Sequence, residues 1–130
     1  MSIASAFDLA RDFADRIHDV GPVSTSRFFG GAALKVDGVQ FGFVMKGSLY
    51  LRVDSEGRAA FEAMGTLPFQ YSSRSEKVTV TSYYEVPAEV IEDPDTLSYW
   101  AVRAHAAAPK PKRGAKQALP RNVRDSADQK

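Results

Sequence analysis

Apolar residues at three- and four-residue steps predict a helix near the start of the chain. The apolar stripe consists of Ile3, Phe7, Ala10, Ala14 and Ile17. Charged residues fill the opposite face, and Ser2 is a candidate N-cap. The helix should end before Gly21-Pro22, because proline cannot continue a helix and glycine tolerates the terminating backbone geometry.

Alternation of apolar and polar residues then predicts three consecutive strands. Their sequences are ALKV, VQFGFVM and SLYLRV, and they are separated by Asp37-Gly38 and Lys46-Gly47. Asp-Gly is a strong signal for a two-residue hairpin turn. On the middle strand, strict alternation places Val39, Phe41, Phe43 and Met45 on one face. We therefore expect an antiparallel meander with one apolar face, which helices must cover.

Two further helices and one or two strands are predicted in the second half of the chain. RAAFEAM reads as a short helix capped by Asp54 or Ser55, and KVTVTSYYEV reads as a strand. Between them, TLPFQYSSRSE is loop-like, although FQY within it is a candidate short strand. The last helix has Asp93 as N-cap and Pro94 at its first position. Its inward stripe consists of Leu97, Trp100, Ala101 and Ala104.

The elements together predict an α+β fold of two layers in the order α-β-β-β-α-β(β)-α. About four or five strands form an antiparallel sheet, and helices cover one of its faces. Residues 1–108 are expected to form one domain, since 130 residues is a typical size for a single domain. Residues 109–130 lack aromatic residues and are broken by proline and glycine, so they are expected to be a disordered tail.

The composition excludes several kinds of chemistry and indicates the cellular compartment. The chain has no cysteine, which excludes disulfides, thiolate catalysis and cysteine-based zinc sites. No apolar run reaches the length of a membrane span, and charges interrupt the N-terminal segment where a signal peptide would need an apolar stretch. We therefore expect a cytoplasmic protein without a membrane contact.

The net charge of +1 conceals two segments of opposite charge. Residues 109–130 contain seven Lys or Arg against two Asp, whereas the preceding residues carry an excess of four acidic side chains. Basic arms bind nucleic-acid backbones by releasing counterions. The candidate nucleic-acid contacts are Lys110, Lys112, Arg113, Lys116, Arg121 and Arg124. The alternative interpretation is a solubilising terminus.

The segment RFFGG at residues 27–31 raises the question of a phosphate cradle. Such a loop is normally followed by a helix, whereas this one leads into a predicted strand and completes no nucleotide-binding motif. A double glycine entering a strand more often marks a bulge or the close approach of another backbone. We therefore favour a structural role, in which Phe28 and Phe29 pack in or near the core.

No set of residues in the sequence predicts a catalytic, cofactor or metal site. His18 and His105 lie near predicted helix ends, where a cation is mildly favourable. Glu85 follows two tyrosines, and pairing with Arg27 or Arg52 is its simplest role. A less favoured hypothesis is a small-ligand or enzyme pocket between sheet and helices, near these three charged residues.

Several motifs in order resemble the N-terminal domain of the TfoX/Sxy family. They are RFFGGAALKVDGV, LYLRVD, RAAFEA, YYEVP and EDPDTLSYWA, and the resemblance covers roughly residues 7 to 108. Phe28 stands where methionine is usual in the family, and Ser82 stands where proline often precedes the tyrosine pair. The family's competence regulators also add a second helical domain. Here a basic segment stands where the regulators have their second domain, so we expect a stand-alone relative of the N-terminal domain.

The resemblance implies a two-layer α/β fold and no known catalytic activity. The family's regulators of natural competence are thought to act with the cyclic-AMP receptor protein. Only signature positions carry over, namely Arg27, Phe29, Gly30, Gly31, Tyr83, Tyr84 and Glu85.

We therefore expect a non-enzymatic regulatory domain, without cofactor, that acts through a protein partner such as a transcription regulator. The alternative is a nucleic-acid-binding accessory protein that uses the basic tail. Both a monomer and a homodimer are compatible with the sequence, because an exposed strand edge can pair with another copy.

Overall fold

The computed structural model describes residues 3–109, with side chains from Ser5 onward. In chain order the elements are α1 (Ile3–Arg16), β1 (Ser24–Phe28), β2 (Gly31–Val36), β3 (Val39–Met45), β4 (Ser48–Arg52), α2 (Ser55–Ala63), β5 (Pro68–Ser73), β6 (Glu76–Glu85), α3 (Ala88–Ile91) and α4 (Pro94–Ala107). The strands form one antiparallel sheet in the order β1-β2-β3-β4-β6-β5. The predicted α+β fold is confirmed, with six strands instead of four or five.

Helices α1 and α4 cover one face of the sheet and enclose the main core. Small residues on both helices, including Ala6, Ala10, Ala101 and Ala104, are fully buried and allow the helices to approach the strands closely. Opposite them lie the buried strand residues Leu34, Val44, Leu49, Leu51 and Tyr84. None of the helices within residues 3–109 is long and apolar enough to cross a membrane.

Two elements lie where the hydrophobic pattern predicts none. Strand β1 has the sequence STSRF, whose first three residues are polar, so it shows no alternation to detect. It exists because β2 offers a full set of antiparallel partners, from Ser24 opposite Lys35 to Phe28 opposite Gly31. Helix α3 is a single turn of four residues, too short for a helical period to be recognised.

The first four strands are joined by three two-residue turns of the same kind. Both central residues have positive φ in Phe29-Gly30 (46° and 84°), Asp37-Gly38 (54° and 76°) and Lys46-Gly47 (52° and 83°). These are the φ values of type I′ turns, whose twist matches that of the flanking strands. The sequence predicted the second and third turns. RFFGG was instead predicted to lead directly into a strand, and it forms a turn because Gly30 tolerates positive φ.

A bulge in β3 overturns the predicted alternation on that strand. Leu34 pairs with Gly42 while Lys35 pairs with Gln40, which leaves Phe41 as an extra residue without a partner on β2. Phe41 consequently points into the helix-side core, and Phe43 and Met45 lie on the opposite face. The prediction that all four apolar residues of β3 share one face is therefore wrong, and both faces of the sheet are apolar.

Two of the three predicted helix caps are confirmed, and the third, Ser2, lies outside the described residues. Asp54 caps α2 by accepting a hydrogen bond from the Gly57 backbone N–H at 2.8 Å, and this bond lowers the pKa of the Asp54 carboxyl. Asp93 caps α4, with Pro94 at its start. Arg103 on α4 reaches Asp54 at 3.2 Å and Glu56 at 2.9 Å, so the ends of α2 and α4 are joined by charged contacts.

His18 joins the end of α1 to the start of α4. Its backbone N–H donates to the buried hydroxyl of Ser98 at 2.8 Å. Its ring lies between two carboxylates, with Nε2 at 2.9 Å from Asp95 and Nδ1 at 2.8 Å from Asp19. The hydrogen bond to Asp95, and then that to Asp19, raises the pKa of the imidazole above its ordinary value of 6.5.

We predict that the domain becomes less stable as the pH rises above about 6.5. The pKa of His18 is higher in the folded state than in the unfolded chain, so protonated His18 stabilises the fold below about pH 6.5. That contribution disappears as the pH rises through the folded-state pKa. Thermal melts from about pH 6 to pH 8 should show it, and NMR titration of the imidazole should give a pKa above 6.5. Asp95→Asn should bring both the pKa and the pH dependence closer to those of free histidine, and an unchanged titration curve would contradict the assignment.

Candidate interaction surface

A second apolar cluster lies on the face of the sheet opposite the helices. Its buried members are Phe28, Ala33, Phe43 and Tyr83, and the partly buried residues Met45, Tyr50, Phe69 and Val80 pack against them. Every one of these residues comes from a strand. Phe29 and Tyr71 extend the cluster through ring contacts with Phe28 and Phe69. We call these ten residues the aromatic face.

Phe43 is the centre of the aromatic face. Its ring centroid lies 4.8 Å from that of Phe28, 4.9 Å from Phe69, 5.0 Å from Tyr83 and 5.1 Å from Tyr50. All four separations fall in the range that aromatic pairs prefer. Only 1% of Phe43 is exposed although none of the described helices packs against its cluster, so the surrounding rings bury it.

The contact between Phe43 and Phe69 shows that the sheet curls toward this face. Strands β4 and β6 separate β3 from β5, so the two residues would be about 14 Å apart in a flat sheet. The curl begins at a register shift, because Pro68 pairs with Tyr84 while the next residue, Phe69, pairs with Val80. Beyond this shift the β5–β6 hairpin bends over the sheet and brings Phe69 onto Phe43.

A polar group sits within the aromatic face at Tyr83. The Arg52 guanidinium lies 5.5 Å from the Tyr83 ring centroid, as in a cation–π contact. Burial raises the pKa of the Tyr83 phenol, and Arg52 and Gln40 beside it offset part of this rise. Burial and the neighbouring Glu85 likewise raise the pKa of Tyr50. Both phenols therefore stay neutral at physiological pH and act as hydrogen-bonding aromatic groups.

Two residues of the aromatic face are exposed to solvent. Phe29 is 67% exposed at the tip of the β1–β2 turn, and Tyr71 is 39% exposed on the edge strand β5. The prediction that Phe29 packs in or near the core is therefore wrong, whereas Phe28 is 8% exposed and does. The difference arises because the turn begins after Phe28, so the next side chain leaves the sheet.

The family-signature residues are divided between the two faces of the sheet. Tyr83 belongs to the aromatic face, and its neighbour Tyr84 is buried in the helix-side core, where its hydroxyl bonds the Glu62 carboxylate of α2. Gly30 completes the β1–β2 turn, and Gly31 lies directly under the backbone of Val44. The predicted close approach of another backbone is therefore confirmed at Gly31.

Arg27, Arg52 and Glu85, the residues of the less favoured pocket hypothesis, do not all lie on one face of the sheet. Arg27 pairs with Ala32, which belongs to the helix-side core, whereas Arg52 lies over Tyr83 on the opposite face. Glu85 accepts a hydrogen bond from Ser48 at 3.3 Å. Within the described residues, Glu85 makes no ion pair with Arg27 or with Arg52. The cause is the alternation of faces along each strand, which places Arg27 on the other side of the sheet from Arg52.

Within residues 3–109, no group of three or more His, Asp or Glu side chains is arranged to hold a metal ion. The candidate nucleic-acid contacts Lys110, Lys112, Arg113, Lys116, Arg121 and Arg124 lie outside the described residues.

The sequence contains a signal for the aromatic face that a search for catalytic motifs overlooks. In SLYLR and in TSYYE, an aromatic residue lies next to a residue that fills the helix-side core, so it must face the other way. Tyr50 between Leu49 and Leu51 is the clearest case. An aromatic residue at the outward position of a strand predicts either a second core or a contact surface.

Comparison with known proteins identifies the family. No curated protein matches the chain at a significant level. The model of the TfoX N-terminal domain matches residues 15–108, which include every strand of the sheet and helices α2, α3 and α4. Because the match spans 94 of the 130 residues, the chain belongs to the TfoX N-terminal domain family.

Proposed function

We propose that the chain is a non-enzymatic regulatory domain that acts in the cytoplasm by contacting a protein involved in transcription regulation. The contact is made by the exposed margin of the aromatic face. Family membership supports a role like that of the competence regulators. The resemblance brings no catalytic residue with it, which favours a binding role over turnover.

The exposure of Phe29 is the observation that carries the proposal. A phenylalanine ring that is 67% exposed does not contribute its full hydrophobic stabilisation to the fold. Aromatic side chains are enriched at the centres of protein interfaces, where burial by the partner recovers this free energy. Here the exposed ring continues into buried and half-buried aromatic residues, so a partner that covers it meets a continuous apolar surface.

Site-specific photo-cross-linking in living cells tests the proposal. A photoreactive phenylalanine analogue replaces Phe29, Tyr71 or, as the matched control, Tyr99. Tyr99 is also an exposed aromatic residue, at 54%, but it lies on α4 away from the aromatic face. We expect the same protein to be cross-linked from positions 29 and 71 and not from position 99.

Two results would overturn the proposal. One is an identical pattern of products from all three positions, which would indicate nonspecific capture. The other is a cross-link from positions 29 and 71 only to a second copy of the chain, which would indicate self-association. Mass spectrometry of the cross-linked peptide separates these results from the expected one.

A further inference from the structure

We infer that the face of the sheet opposite the helices carries a binding site for a phosphate group, at the end of the strands away from Phe29. Four side chains form the site, namely Lys35, Gln40, Arg52 and Tyr83, and we call them the donor cluster. The inference goes beyond the proposed function, because it assigns a small-ligand site away from the exposed margin that makes the protein contact. The site is also separate from the glycines of RFFGG, which lie at the other end of β2.

The register of the strands places the donor cluster on one face of the sheet. Both neighbours of Lys35 in β2 are buried in the helix-side core, so the Lys35 side chain leaves the sheet on the other face. Gln40 on β3 is the Cα partner of Lys35, and residues directly opposite each other in an antiparallel pair share a face. Arg52 and Tyr83 are partners in the same way on β4 and β6. The cluster therefore lies across four strands at the end of the sheet near the β2–β3 turn.

The Tyr83 hydroxyl is the point at which Arg52 and Gln40 meet. The Arg52 guanidinium carbon lies 5.5 Å from the centroid of the Tyr83 ring. Burial raises the pKa of the Tyr83 phenol, whereas Arg52 and Gln40 lower it, which places both donors beside the phenol oxygen. A phenol oxygen that accepts from such groups keeps its own O–H free to donate. All three side chains can therefore donate to one acceptor.

Gln40 supplies a donor that the described part of the fold does not use. Its Nε2 atom is buried, and within residues 3–109 it makes no hydrogen bond of normal geometry. The amide lies beside the Tyr83 oxygen without completing such a bond. A buried donor that lacks an acceptor destabilises the fold, and a bound anion would remove this penalty.

The charges in the donor cluster specify the kind of anion. Within residues 3–109, neither Lys35 nor Arg52 makes a salt bridge. The carboxylate of Glu85, two residues after Tyr83, accepts a hydrogen bond from Ser48 instead. Two cations and two neutral donors match a phosphate dianion, which has two negative charges and several acceptor oxygens. A carboxylate would neutralise only one of the two cations.

NMR titration of the full-length chain with inorganic phosphate tests the inference. At about pH 7.5, where phosphate is mainly a dianion, we expect the side-chain amide signals of Gln40 to shift and saturate. Chloride at the same ionic strength should not produce this shift. Arg52→Gln should weaken phosphate binding at least about tenfold, because charge-assisted hydrogen bonds are lost. Arg27→Gln is the matched control and should leave binding unchanged, since Arg27 is a strand arginine on the other face of the sheet.

The variant Gln40→Glu gives an independent measurement, because it places a carboxylate where the phosphate is expected. This carboxylate should pair with Lys35 and Arg52, raise the melting temperature at neutral pH and abolish phosphate binding. If Gln40 had only a structural role, the new buried charge would lower the melting temperature instead.

Acetate and phenyl phosphate complete the test. Phenyl phosphate that binds more tightly than inorganic phosphate would support a phosphate ester whose apolar part lies on the aromatic face, and equal binding would support the free anion. Four results would overturn the inference: no saturable shift with phosphate, acetate binding as tight as phosphate binding, phosphate binding that survives Arg52→Gln, or a lower melting temperature for Gln40→Glu. The cross-links from positions 29 and 71 are expected in each of these cases, so this inference can fail while the proposed function stands.

Discussion

Replacing Phe43 by alanine is expected to lower the free energy of unfolding by about 3–5 kcal/mol, which is a large part of the stability of a domain of this size. The reason is the position of the ring, which contacts Phe28, Tyr50, Phe69 and Tyr83 and is 1% exposed. Removing it deletes one partner from each of these pairs and leaves a cavity that the strands cannot close. The curl of the sheet should also weaken, because Phe69 is held to β3 by this contact.

Equilibrium urea denaturation measures this effect, followed by both tryptophan fluorescence and circular dichroism. Leu67→Ala is the control, since Leu67 is 68% exposed and its truncation should change stability by less than about 0.5 kcal/mol. If Phe43→Ala costs no more than Leu67→Ala, the aromatic face is not a second core. Trp100 reports on the helix-side core, where it packs against Phe61. A single transition from both probes would therefore show that the two faces of the sheet unfold together.

The parts of the fold that could be predicted from the sequence are those specified by local signals. Asp37-Gly38 defines a turn through its own backbone preference, and Asp54 and Asp93 cap helices through their own side chains. These signals act over two to four residues, so no knowledge of distant partners is needed. The order of the predicted elements follows from them, and the structure adds β1 and α3 to that order.

The parts that could not be predicted depend on partners far away in the chain. Strand β1 is set by pairing with β2, although its own residues are mostly polar. The bulge at Phe41 is invisible to a rule of strict alternation, and it is the bulge that separates Phe41 from Phe43. The aromatic face therefore follows from two long-range features, the bulge in β3 and the register shift between β5 and β6.

The two faces of the sheet have different consequences for function. The helix-side core is closed, because α1 and α4 cover it. The aromatic face is closed only at its centre, by its own rings, and it remains open at Phe29 and Tyr71. Under the proposed function, stability and partner binding draw on one continuous set of residues. Central substitutions such as Phe43→Ala should affect both properties, whereas substitutions at Phe29 should separate them.

The two glycines of RFFGG are expected to respond very differently to alanine. At Gly31 an added Cβ would lie 2.1 Å from the carbonyl oxygen of Val44, a backbone atom that cannot move without breaking the pairing of β2 with β3. We expect Gly31→Ala to lower the free energy of unfolding by more than about 3 kcal/mol, at the upper end for overpacking. At Gly30 no atom of residues 3–109 lies within 4 Å of an added Cβ, and its φ of +84° is what opposes a side chain. Gly30→Ala should therefore cost about 1 kcal/mol.

Urea denaturation of both variants, without any ligand present, decides between a structural and a ligand-binding role for these glycines. A phosphate cradle would need backbone N–H groups open to an anion, and substitution would then impair binding more than stability. The structure instead places the carbonyl oxygen of Val44 against Gly31, where it would repel an anion. Equal costs for the two variants would contradict this packing. A cost at Gly31 that exceeds the cost at Gly30 by about 2 kcal/mol would show that the second glycine is required by the approach of the β3 backbone.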